Sequence, residues 1–192
     1  MNQTLFAMIN SYAGKNRIID TTAVFCGEYL PLLLIAFLIY LWLFKRELRE
    51  ELLMAVAGVL FALTANLVII MNYYHPRPFM DHTVTQLIAH APETSFPSDH
   101  ATFMFTLSFM LATSRRFRAI GVPLVVLSTV CSLSRVFCGV HYPLDIAGSL
   151  MVSLITAGLF RSPSSRRISL LITLLLGKFD IIAAKLTVAR RH

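Results

Sequence analysis

Residues 52–74 read LLMAVAGVLFALTANLVIIMNYY and run without a break into His75-Pro76-Arg77-Pro78. The run supplies 23 mostly apolar residues, against the roughly 20 that an α-helix needs to cross a bilayer. Its end is equally marked. Two prolines around one arginine remove backbone donors and push Arg77 into an extended conformation, so its side chain is presented from a stiff strut rather than from a helix.

Further runs of this kind lie on both sides. Residues 29–44 are apolar and slightly short for a span, but can extend back towards Ala23 if Glu28 lies in the headgroup zone. A tight charged loop, Lys45-Arg46-Glu47-Leu48-Arg49-Glu50-Glu51, separates them from residue 52. Residues 79–96 are polar, with His82, His90, Pro92 and Glu93, and read as an ordered extramembrane loop. A third span is expected over 98–113, a fourth over 119–136 and a fifth over 143–160, the last followed by 161–167, RSPSSRR. Residues 1–28 mix apolar side chains with Asn10, Lys15, Arg17 and Asp20, and suit an interfacial amphipathic helix or turn pair. Residues 168–192 are expected to form a cytoplasmic interfacial helix, because a sixth span would export Arg190 and Arg191.

Composition agrees with this reading. The chain has 192 residues, 56% of them hydrophobic and 14% charged, with a mean hydropathy of +0.69; a soluble domain would be about 25% charged. The expected fold is all-α, a polytopic membrane bundle of five or six transmembrane helices in one domain over 1–192, since no linker or repeat divides it. The charge of +7 falls in short clusters between apolar runs rather than along one face, so it signals topology and not nucleic-acid binding. Cys26, Cys131 and Cys138 include no CxxC pair, which leaves buried free thiols as the expectation. A disulfide between Cys26 and Cys138 is conceivable in an oxidising compartment. The N-terminus lacks a basic region followed by an apolar stretch and cleavage site, so the first membrane helix is expected to act as the signal.

Orientation follows from the basic residues. Nine (Lys45, Arg46, Arg49, Arg115, Arg116, Arg118, Arg161, Arg166, Arg167) fall on one side and four (Lys15, Arg17, Arg77, Arg135) on the other, which puts the first set in the cytoplasm. The N-terminal segment, the loop over 75–97 and the turn over 137–142 then meet on the outer face.

That face collects the chemistry. Ser98 stands where an N-cap belongs and Asp99 in the first turn of the helix, so the Asp99 and His100 N–H groups become outward donors at the positive end of a helix dipole. Arg77 and Arg135 add two guanidinium forks that match phosphate oxygens. His141 and Asp145 stand four residues apart, with Pro143 at the expected first helical position. Asp145 can reach back to the imidazole, fix its tautomer through one ring nitrogen and leave the other as a nucleophile, while a protonated His100 serves the leaving oxygen. The set forms a phosphoryl-transfer site that needs no metal or other cofactor. Taken singly, each residue has a plainer reading. His75, His82 and His90 suit satisfied interfacial groups, a lone arginine suits a headgroup anchor, and Asp99 is either a dipole partner or a contact to substrate or metal.

Pro97-Ser98-Asp99-His100, followed by Ser134-Arg135, five residues, His141, three residues and Asp145, resembles the second and third signature motifs of the phosphatidic acid phosphatase type 2 superfamily of membrane lipid phosphatases. Arg77-Pro78 matches the end of its first motif, and the resemblance covers about 52–160. Two positions depart from the pattern: Ile70 replaces the usual lysine, for which His75 is a possible accessory substitute, and Asp99 replaces the usual glycine. The combination of His-Pro-Arg-Pro-Phe with Phe-Pro-Ser-Asp-His is similar to the bacitracin-resistance-type undecaprenyl-diphosphate phosphatases within that superfamily. The resemblance implies His141 as nucleophile, Asp145 as its orienting partner and His100 as acid and then base. It implies Arg77, Ser98 and Arg135 as phosphate ligands; Asp99, where the chain departs from the pattern, is placed with them as a candidate by its position in the same turn. It also implies a polyprenyl diphosphate substrate, handled at the outer face of a bacterial plasma membrane among membrane lipids. Another lipid phosphate (phosphatidylglycerophosphate, phosphatidate or lipid A phosphate), a metal-dependent hydrolase and a non-catalytic anionic-lipid binder are the competing readings.

Overall fold

The computed structural model describes residues 1–81 and 83–162. Its helices are α1 (Asn2–Asn10), α2 (Arg17–Val24), α3 (Leu30–Phe44), α4 (Arg49–Asn72), α5 (Pro78–Asp81), α6 (Asp99–Thr113), α7 (Arg118–Phe137) and α8 (Pro143–Arg161). Among the described residues there is no strand, and the extended segments touch through a bridge between Pro76 and Thr94. The all-α expectation stands.

Among the described residues four stretches are long and apolar enough to cross a membrane, against the five or six expected: Arg17–Phe44, Arg46–Asn72, Arg118–Phe137 and Pro143–Arg161; the expected span at α6, with 15 residues, is too short to be one of them. The first begins earlier than the sequence suggests. A π-helical turn, Phe25–Tyr29, joins α2 to α3 without a break, so residues 17–28 continue into the helix over 30–44 rather than forming a separate element. Asn16 starts it, its Oδ1 accepting from the Ile18 and Ile19 N–H groups at 2.9 and 3.3 Å. The charged loop is also shorter than expected. A 3₁₀ turn, Arg46–Leu48, leads straight into α4, whose first turn contains Glu50 and Glu51, where acidic side chains favour the helix dipole. Residues 168–192, expected to lie at the interface, fall outside the described residues.

The helix α6 is the third expected span and the axis of the bundle. It has 15 residues, about 22 Å at 1.5 Å per residue, and packs against α4, α7 and α8. It is buried on all sides, from Ala101 and Thr102 to Met110 and Leu111, which suits a sequence that is apolar all round. Lipid is as apolar as leucine, so helices in a membrane associate through close packing and hydrogen bonds between small side chains. Thr106 Oγ1 donates to Ser153 Oγ at 2.9 Å and Ser153 Oγ to the Thr102 carbonyl at 3.2 Å, which ties α6 to α8. Ser108 and Ser128 hydroxyls meet at 2.6 Å and tie α6 to α7. On the outside of the bundle Leu33, Leu60, Val126 and Leu154 are exposed, as a lipid-facing surface requires.

The N-terminal segment, the loop after α4 and the turn between α7 and α8 meet at one end, as the charge pattern implies. Buried Asn10 joins all three: its Nδ2 donates to the Thr85 and Phe137 carbonyls at 2.9 and 2.8 Å, and its Oδ1 accepts from the Thr85 N–H at 3.0 Å. Phe6 stacks edge-on against Tyr142 with centroids 5.2 Å apart. Gly139 has φ +82°, and a Cβ there would stand 2.7 Å from the Thr85 carbonyl oxygen. Glycine therefore permits both the turn and its contact with the loop.

Candidate active site

The turn that ends α7 sets two of the expected residues. Arg135 is in its last turn and 2% exposed. Its Nη1 donates to the Gly27 carbonyl of the π-helical turn at 3.0 Å. Its Nε and Nη2 are buried without a hydrogen-bond partner among the described residues, and orphaned guanidinium donors are costly unless an anion takes them. The Val140 N–H returns to the Arg135 carbonyl at 3.2 Å, and the chain then places His141 in the interior, 2% exposed.

The helix α8 starts as the sequence suggests, with Pro143 in its first turn and Asp145 at the third helical position. Asp145 Oδ2 accepts from the Tyr142 N–H at 2.7 Å and also from the Ser95 hydroxyl. Its distance to His141 Nδ1 is 3.4 Å. The closer partner of Nδ1 is the Ser95 carbonyl, at 3.0 Å. The orienting role expected of Asp145 alone is thus shared with Ser95, because one carboxylate oxygen also caps the helix and takes the Ser95 hydroxyl. Nδ1 faces two acceptors and so carries the proton. Nε2 faces a donor, Arg77 Nη1 at 3.1 Å, and so presents its lone pair. Burial pushes His141 down to about 4; the Asp145 hydrogen bond opposes this and the charges of Arg135 and Arg77 add to it. The imidazole is neutral at pH 7, as a nucleophile must be.

Arg77 comes from the proline strut, 5% exposed. The strut is held to the end of the following loop: the Ser95 N–H donates to the His75 carbonyl at 2.6 Å and the His75 N–H to Thr94 Oγ1 at 3.2 Å. Arg77 Nη1 also donates to the Val140 carbonyl at 3.0 Å, Nη2 donates to Glu93 Oε1 at 3.0 Å, and Nε is buried without a partner among the described residues. Burial lowers the guanidinium from its ordinary value while Glu93 acts in the opposite direction.

The start of α6 supplies the rest. Ser98 is fully buried and its hydroxyl accepts from the Ala101 N–H at 3.4 Å, so it is the N-cap. Asp99 turns to α4, where its Oδ1 accepts from Asn66 Nδ2 at 2.8 Å, and the Asn66 amide also donates to Thr102 Oγ1 at 2.9 Å. Asp99 therefore has a protein partner on α4, one turn before Ile70. His100 and Arg135 line one narrow cavity with Gly27 and Pro31. The His75 ring stands edge-on to Tyr142 at 5.2 Å and lines a different cavity with Tyr73, Phe96 and Asp145. Its backbone serves the strut, and no contact between its ring and either arginine is seen among the described residues.

Three residues of the site escape sequence reasoning. Ser95 directly precedes Phe96-Pro97-Ser98-Asp99-His100 and carries only its proximity as a signal. Glu93 and His90 read as ordinary loop residues, yet Glu93 pairs with Arg77, and the His90 ring stands 6.4 Å from that of His141. Burial lowers the His90 pKa, and the charges of Arg77 and Arg135 lower it further. His82 lies outside the described residues. Cys26, Cys131 and Cys138 are free thiols, so the conceivable Cys26–Cys138 disulfide is absent. Among the described residues no three histidine, cysteine, aspartate or glutamate side chains converge as a cation cage.

A bundle that brings two buried arginines and a neutral, oriented histidine to one end is that of a helical membrane phosphatase. The family model described as the PAP2 superfamily matches residues 51–168, and the chain belongs to that superfamily. Undecaprenyl-diphosphatase BcrC of Bacillus subtilis is 38% identical over 161 residues, covering 83% of this chain and 82% of that protein. Among solved structures, Aquifex aeolicus LpxE superposes with a TM-score of 0.70 at 22% identity, over 82% of this chain and 93% of that one. The transmembrane PAP2-type phosphatidylglycerolphosphate phosphatase of Bacillus subtilis gives a TM-score of 0.58 at 17% identity, over 85% and 86%. These two share the fold.

Proposed function

We propose that the protein hydrolyses undecaprenyl diphosphate to undecaprenyl phosphate and inorganic phosphate through a phosphohistidine at His141. In this reading residues 1–192 form one phosphatase domain of a bacterial plasma membrane, with the site on the outer face. The reaction recycles the cell-wall lipid carrier. The observation that carries the proposal is the state of His141: buried, neutral, with Nδ1 held by Ser95 and Asp145 and the Nε2 lone pair turned to a phosphate-binding arginine. The substrate assignment draws on the 38% identity to a protein named undecaprenyl-diphosphatase, and the orientation on the nine-to-four distribution of basic residues.

At rest Arg77 donates to His141 Nε2 and to Glu93. The terminal phosphate, with stronger acceptor oxygens, takes these donors together with the orphaned N–H groups of Arg135 and the helix-end amides behind Ser98. Nε2 is then free. It forms an N–P bond to the terminal phosphorus as the P–O bond to the bridging oxygen breaks, and the electron pair leaves with undecaprenyl phosphate. His100 gives a proton to that oxygen where one is needed. Water then attacks phosphorus, His100 takes its proton, and the N–P bond breaks with its electron pair returning to Nε2. The two arginines carry the charge on the equatorial oxygens throughout.

The test is phosphate release from undecaprenyl diphosphate and from a lipid monophosphate by detergent-purified wild type and His141→Ala, both in EDTA. Preference of the wild type for the diphosphate, with a mutant reduced by roughly 10⁴-fold or more, is expected. Activity that vanishes in EDTA, or survives in the mutant, would overturn the mechanism. Preference for the monophosphate would move the assignment to another lipid phosphate.

A further inference from the structure

Of the two arginines proposed to bind phosphate, Arg77 already holds an anion among the described residues. Its Nη2 donates to Glu93 Oε1 at 3.0 Å, and the same oxygen stands 3.5 Å from His90 Nδ1. The two partners differ in burial: the Arg77 side chain is 6% exposed and that of Glu93 56%. Arg77 does not depend on Glu93 for its position, because the proline strut and the Val140 carbonyl, 3.0 Å away, already hold it. The carboxylate sits at the solvent edge, where an ion pair is weak and easily exchanged. A carboxylate and a phosphate oxygen seek the same N–H fork, so both cannot occupy it.

We infer that Glu93, backed by His90, is a specificity-determining gate on Arg77: a resident carboxylate that only a doubly charged terminal phosphate displaces. This rests on the reading of the site as a phosphate site. A phosphodiester headgroup carries one negative charge, as the Glu93 carboxylate does, and it arrives without the advantage of being tethered beside Arg77. A terminal phosphate carries up to two charges and three equivalent acceptor oxygens, and it reaches Arg135 as well. The gate thus keeps the abundant diester lipids of the membrane off Arg77 and admits lipids with a terminal phosphate. It also weakens retention of the product phosphate.

The test compares wild type with Glu93→Gln, which keeps the shape and removes the charge, in the hydrolysis of undecaprenyl diphosphate by the full chain in detergent micelles. Two inhibitors are titrated: inorganic phosphate and dioleoyl phosphatidylglycerol. In the variant the inhibition constant for inorganic phosphate should fall about 1.5-fold to fivefold, the size of effect left to a half-exposed charge pair. KM should fall in the same direction, and the diester lipid should become an inhibitor. His90→Ala, which removes the backing of the carboxylate, should shift the constants the same way by a smaller factor. It gives the same readout if Glu93→Gln fails to fold. Inhibition constants that stay the same or rise in the variants would overturn the gate and make Glu93 a positioning residue for Arg77. Wild type that neither turns over the diphosphate nor responds to inorganic phosphate would remove the phosphate-site reading itself, and the gate with it.

Discussion

The buried polar groups of this bundle form two sets on the same three helices. Midway along α6, the hydroxyls of Thr106, Ser108, Ser128 and Ser153 are matched with one another or with backbone carbonyls. At the ends of α6, α7 and α8, and on the proline strut that meets them, the polar groups are larger, charged and only partly matched, with Arg77 Nε and Arg135 Nε and Nη2 among those left over in the described residues. The first set holds helices together where hydrophobicity cannot. The second keeps donors in reserve, at a cost in stability that only a bound anion offsets. Within these two sets the matched hydroxyls serve packing, and the unmatched guanidinium groups lie at the candidate site.

Changes in the second set should separate catalysis from folding most clearly. Arg135→Lys keeps the charge but loses the planar fork and two of its donor positions. A fall of about a hundredfold to a thousandfold in kcat for phosphate release is expected, the scale of losing a donor at a developing negative charge. Ser95→Ala comes next. It removes the hydroxyl on Asp145 and leaves the Ser95 carbonyl on His141 Nδ1. The loss of a hydrogen bond to a charged group should lower kcat roughly tenfold to a hundredfold, with little change in KM.

The pH profile sharpens the same contrast. In the proposed mechanism the reactive form of His141 is neutral, and burial pushes its pKa down to about 4, below the ordinary value of about 6.5. A histidine left at the ordinary value would be only about a quarter neutral at pH 6. His141 stays almost wholly neutral there, and its reactive form is lost only as pH falls through about 4. Measured kcat/KM between pH 4 and 8 should therefore show no acid limb from the nucleophile near 6.5, a difference of about fourfold at pH 6.

The first set should behave oppositely. Thr106→Val removes the donor to Ser153, which keeps its bond to the Thr102 carbonyl. A loss of about 0.6 kcal/mol of stability, read as a small fall in the thermal midpoint in detergent, is expected with unchanged phosphate release. A loss of activity larger than that of Ser95→Ala would erase the distinction between the two sets.

Much of the bundle was legible in the sequence because hydropathy and helix caps act locally. The 23-residue run became α4, the Ser98 cap opened α6, and Pro143 with Asp145 opened α8, each within a few residues of expectation. The first span was expected to reach back at most towards Ala23; a π-helical turn carries the helix through Glu28 and on to Arg17. The candidate residues His141, Asp145, Arg77 and Arg135 were visible as types at a spacing. Their pairings were not. Asn66 meets Asp99 across 33 positions, Ser95 meets His141 across 46, and Asn10 meets Phe137 across 127.

The sequence on its own marked the long apolar segments, most of their helix ends, and the charged side chains that gather at one end of them. The tertiary structure alone decided how those side chains pair: that Ser95 shares the orientation of His141 with Asp145, that Asp99 answers Asn66, and that Glu93 occupies Arg77. The reason is physical. Burial and capping depend on neighbours along the chain, whereas a hydrogen bond within 3 Å depends on how separate helix ends converge, and that convergence is set by packing around α6.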